Sequence, residues 1–73
     1  MSKVNTTMFQ DRMKRSGYTL ETLSIAIGRS RTGLFNKIHN KSDFRVKEID
    51  KLCTLLKLSK ADRERIFFAV DVE

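Results

Sequence analysis

The chain reads as an all-α protein of about five short helices. Apolar residues recur at helical spacing almost throughout, and no segment alternates with period two. There is no proline and there are only three glycines, so little interrupts a helix. Seventy-three residues allow one domain around one small core, and the organisation expected is a single domain over 1–73.

Each element has its own signals. The first helix is expected from about Thr6 to Ser16, capped by Asn5 or Thr6, with Phe9 and Met13 one turn apart on one face. Gly17 stops it. The second starts after Thr19, with Leu20, Leu23, Ser24 and Ile27 at i, i+3, i+4, i+7. Tyr18 and Leu23 stand at staple spacing across its cap. Gly28 follows the last apolar residue, where a left-handed C-terminal residue belongs. The third helix has Ser30 as N-cap and runs to about His39, with Leu34 and Ile38 inside. Asn40 stands where the chain must turn out, and asparagine tolerates positive φ. Phe44, in the loop that follows, is expected to plug the core. The fourth helix, about Val46 to Leu56, carries Val46, Ile49, Leu52, Cys53 and Leu56 on one stripe. The fifth runs from about Lys60 to Ala69, with Asp62 and Glu64 suited to its N-terminal dipole. Its run Ile66, Phe67, Phe68 and Val70 is more apolar than one small face can hide, so one aromatic is left for a partner.

The net charge of +6 is unevenly placed. Residues 1–47 hold ten Lys/Arg against three acids, whereas residues 48–73 are nearly balanced. Solubility alone does not require that asymmetry. It implies an anionic partner for the face built by the first three helices, with nucleic acid the usual one and a solvated basic surface the bland alternative. One cysteine, Cys53, excludes a disulfide framework and suits a reducing compartment. A polar N-terminus without an apolar run speaks against a secretory signal, and no apolar run spans a bilayer. The expectation is a cytoplasmic protein with no membrane partner. A lone histidine, His39, with no ligands at suitable spacing does not make a metal site. No nucleophile–base pair, carboxylate pair or phosphate-cradling glycine loop appears, so neither an enzyme nor a cofactor is expected.

The segment from Thr19 to Asn40 carries the most information. Two short helices joined at Gly28-Arg29-Ser30, the second with a basic, amide-rich leading edge, fit the major groove of DNA. Thr19, Leu23 and Ile27 of the first helix, Gly28 of the turn, Ser30 as cap, Leu34 and Ile38 of the second helix and the ending His39-Asn40 resemble the Cro/CI-like (XRE-type) helix-turn-helix family. The likeness covers about Met8 to Ala69 and implies a five-helix lambda-repressor-like fold. The stretch NKSDF and the later EIDKLCTLLKLSKADRERIFFA look like the small regulators of temperate phages of Gram-positive bacteria. That implies a transcriptional regulator at a lysogeny/lysis switch in a bacterial host, with no effector domain and no small-molecule ligand.

In that geometry the first residues of the second motif helix reach base edges. Arg31 suits guanine, Asn36 suits adenine, and Thr32 lies between them; a phosphate contact or a solvated arginine serves Arg31 equally well, and a plain polar surface residue serves Asn36. Arg29, Lys37, Lys41 and Arg45 are assigned to phosphate, together with the backbone amides at Thr19 and Leu20.

Three features depart from the family pattern. Ser24 replaces a small inward residue, which is tolerable if its hydroxyl bonds back to a carbonyl. Gly33 sits inside the helix at about 0.8–1 kcal/mol against alanine and lets a partner approach closely. Phe35 follows Leu34 and cannot fully share its inward face, which suits either a thymine methyl or a protein partner. A rival reading follows. Leu20, Ile25, Phe35, Phe67 and Phe68 would form a surface gripping the phage's CI-type repressor, as an antirepressor (modulator of repression) does. A weak homodimer is compatible with either reading.

Overall fold

A computed structural model describes residues 3–69 of the chain. It is all-helical, with five helices and no strands among the described residues: α1 (Thr6–Arg15), α2 (Leu20–Ile27), α3 (Arg31–Ile38), α4 (Val46–Leu55) and α5 (Lys60–Phe67).

Local chemistry explains the helix starts. Asn5, Thr19, Ser30 and Ser59 each accept, through the side chain, an amide of the first turn of α1, α2, α3 and α5 respectively. At α2 the cap is reciprocal: Thr19 Oγ1 accepts from the Thr22 amide at 3.1 Å, and Thr22 Oγ1 accepts from the Thr19 amide at 2.9 Å. The stops are equally local. Gly28 has φ +74°, and an added Cβ would meet nothing within 4 Å. Its glycine is therefore required by conformation and not by space. Asn40 takes φ +64°, as its place at the end of α3 predicts.

Phe9, Leu23, Leu34, Leu52 and Ile66, one from each helix, are fully buried. α2 packs on α3 and α4, and α1 packs on α5. Phe44 does plug the core, stacked on Phe9 at 6.0 Å and edge-on to Phe67 at 5.5 Å. Ser24 is buried and its hydroxyl donates to the Glu21 carbonyl at 2.7 Å, so the departure is satisfied within its own helix.

Four expectations are corrected. Val46 is exposed: it opens α4, one turn ahead of the buried Ile49, at the end of the stripe where no further turn of the helix covers it. The helices end slightly earlier than the apolar pattern suggests, with Ser16, His39 and Leu56 as caps. α5 ends at Phe67, because Ala69 leaves the helix to pair in an isolated antiparallel bridge with Lys3. Phe67 is core and not partner surface, packed edge-on against both Phe9 and Phe44, while Phe68 is the exposed aromatic. Val70, counted in the same apolar run, lies outside the described residues.

Candidate nucleic-acid interface

The face of interest is made by the start of α2, the turn Gly28-Arg29-Ser30, α3 and the loop to Arg45. Ser30 Oγ accepts the Gly33 amide at 3.0 Å and so fixes where α3 begins. A Cβ added at Gly33 would press on that same hydroxyl at 3.0 Å. The glycine therefore leaves room for the cap as well as for anything approaching α3.

Arg31 and Thr32 are exposed on the first turn of α3. Asn36, one turn after Thr32, is half-buried. Phe35 is 41% exposed, and its ring centroid lies 4.1 Å from that of His39. Leu20, half-buried against the core, joins Arg31, Thr32 and Phe35 around an open notch of about 240 Å³. The notch brings a guanidinium, a hydroxyl and two apolar side chains together. Ile25 is the most exposed large apolar residue among the described residues, at 71%, and lines no part of this notch. Phe68 stands beside Arg63, whose guanidinium lies 5.9 Å from its ring.

The basic residues are not equivalent. Lys41 and Arg45 are exposed. Lys37 is not: its side chain is 13% exposed, and its ammonium donates to Glu48 Oε1 at 2.7 Å. Arg29 donates through Nε to Glu48 Oε2 yet keeps its side chain 40% exposed. The Arg45 amide donates to Glu48 Oε1 at 2.9 Å. Burial alone would push the Glu48 carboxyl up; the Arg45 amide, Lys37 and Arg29 outweigh it and hold it at about 2. Sequence reasoning passed over Glu48. Its position at the third residue of α4, where a glutamate reaches back to the capping amide, was the available signal.

The α2 amides divide as well. The Thr19 amide is already donated to Thr22, which leaves those of Leu20 and Glu21 without intrahelical acceptors. The exposed Glu21 carboxylate in the same turn weakens that end's attraction for an anion.

Burial pushes the half-buried Cys53 thiol up, away from the reactive thiolate. Among the described residues, no three His, Cys, Asp or Glu side chains converge as a metal would need, and no helix is long and apolar enough to cross a membrane. No protein-family model, curated protein or solved structure matches this chain.

Proposed function

We propose that this chain is a small helix-turn-helix regulator of Cro/CI-like type that lays α3 in the major groove of duplex DNA. The observation that carries the reading is the leading edge of α3. Arg31 and Thr32 project from the first turn of a short helix whose start is capped by Ser30 and whose inner face is locked by Leu34 and Ile38. Docking of this kind places the N-terminal residues of the second helix on base edges. Arg31 then reads guanine, Asn36 reads adenine, and the apolar wall of Leu20 and Phe35 receives a thymine methyl. Arg29, Lys41, Arg45 and the Leu20 amide hold phosphates around the groove. Lys37 is withdrawn from that set by its pairing with Glu48.

The setting carried by the family resemblance is a phage switch between lysogeny and lysis in the cytoplasm of a bacterial host. The test is enrichment of bound duplexes from a randomised pool, followed by titration on the enriched site. A recurrent sequence containing guanine and thymine within one half-turn supports the reading. Failure to retain any duplex at low salt removes it.

One observation favours a second reading. Ile25 and Phe35 expose apolar surface on α2 and α3. An antirepressor would use such surface to grip a CI-type repressor protein. Adding that repressor to the same titration separates the two functions.

A further inference from the structure

Three elements of the interface meet at one carboxylate. Glu48 is 6% exposed, sits in the first turn of α4, and bonds Arg29 of the α2–α3 turn, Lys37 of α3 and the backbone amide of Arg45. A buried carboxylate this thoroughly partnered fixes the groups around it, because its removal would leave the nearly closed Lys37 ammonium without its ion-pair partner. α3 has few other polar ties to the rest of the fold. Its end is held by Thr6, whose hydroxyl donates to the Ile38 carbonyl at 2.7 Å.

We infer that Glu48 is the positioning residue of the DNA-reading face, setting the angle of α3 and confining Lys37 so that binding depends on base contacts more than on charge. This rests on the DNA-binding reading above. Two consequences follow from the geometry. Arg29 is held at Nε while much of its side chain stays in water, so it is aimed and remains able to meet a phosphate. Lys37 is held by its only charged atom in a nearly closed site, with the Phe44 ring 6.0 Å from that ammonium, so it contributes nothing to phosphate binding. The carboxylate thus lowers affinity for arbitrary DNA while keeping the reading edge in register.

The experiment compares the wild-type chain with Glu48→Gln, Lys37→Met and Arg29→Met. Each is titrated by fluorescence anisotropy on the enriched duplex and on a random duplex over a salt series, with thermal melting alongside. In Glu48→Gln the released Lys37 should steepen the log–log salt slope by about 0.9, the effect of one added phosphate contact. The ratio of enriched to random affinity should fall by about tenfold or more. Lys37→Met should leave the slope unchanged, whereas Arg29→Met should make it shallower by about 0.9.

A Glu48→Gln chain that melts lower but keeps the wild-type slope and ratio would make Glu48 a structural residue only and overturn the inference. If Glu48→Gln does not fold, Lys37→Met decides: a slope shallower by about 0.9 would place Lys37 on phosphate and overturn the inference equally. Absence of wild-type binding to any duplex refutes the DNA reading itself, and the inference with it. Wild-type binding with Glu48→Gln and Arg29→Met both unmoved refutes the inference alone.

Discussion

Replacing Phe35 by alanine distinguishes three roles for one ring. Phe35 keeps 41% of its surface in water, so rather more than half is sheltered by the fold. A phenylalanine offers about 200 Å², so about 120 Å² is at stake. At about 25 cal/mol per Å² that is about 3 kcal/mol before correction. Alanine retains part of the contact, and a realistic unfolded chain is itself partly collapsed, which leaves about 1–2 kcal/mol. In a domain of this size the melting temperature should fall by about 4–16 °C, with helicity retained. Binding to the enriched duplex should weaken about three- to tenfold, the worth of about one buried methyl contact or slightly more. Binding to random duplex should not change. Uracil in place of thymine in the enriched site should weaken wild-type binding by the same factor and have no further effect on Phe35→Ala. Circular dichroism melting, anisotropy on the two duplexes and a repressor-binding assay cover every branch. A melting loss as large as that of a fully buried leucine would refute the surface placement of the ring. Unchanged affinity for the enriched duplex would refute its place on the DNA face, and loss of repressor binding alone would favour the antirepressor.

Three further outcomes are expected. Leu34→Ala and Leu52→Ala, both fully buried, should each lose about 2–5 kcal/mol, much of what so small a domain holds; a cooperative transition near the wild-type midpoint in both would show the inner faces to be wrong. Arg31→Ala and Asn36→Ala should each lose about 1–3 kcal/mol on the enriched site and much less on random DNA, whereas Lys41→Ala should weaken both alike; uniform effects would mean that α3 positions the protein without reading sequence. Glu48, ordinarily near 4.5 and held at about 2 in the fold, stabilises the protein above its unfolded-state pKa. That stability should be lost as pH falls from about 4.5 toward 2, seen as a falling melting temperature that Glu48→Gln flattens across the same window.

Local signals in the sequence carried most of the fold. Asn5, Thr19 and Ser30 cap helices, Gly28 and Asn40 turn out of them, and the leucine and isoleucine spacings face inward, because each of these depends on neighbours within a few residues. What was not legible depends on distant partners. Glu48 looks like an ordinary surface acid until α3 and the α2–α3 turn bring Lys37 and Arg29 to it. Lys37 looked like a phosphate contact for the same reason. Asn40 was legible as a turn residue but not as a clasp: its side chain exchanges two hydrogen bonds with the backbone of Val4, 36 positions away in sequence. Phe67 and Phe68 are adjacent and equally apolar, and only the end of α5 decides that the first enters the aromatic cluster. In the candidate site, the exposure of Arg31, Thr32 and Phe35 followed from helical phase, whereas the notch they share with Leu20 required the packing of α2 on α3.

The salt dependence of duplex binding tests the central claim most directly. Arg29, Lys41 and Arg45 remain exposed, as does Arg31 at the start of α3, while Lys37 is held by Glu48. Three to four cations on phosphate give a log–log slope of about −3 to −4, against about −4 to −5 if Lys37 and further contacts also took part. Anisotropy of a labelled duplex titrated at successive salt concentrations measures it. A slope in the range of about −3 to −4 is the predicted result. A slope near zero, or no duplex binding at low salt, would contradict the account.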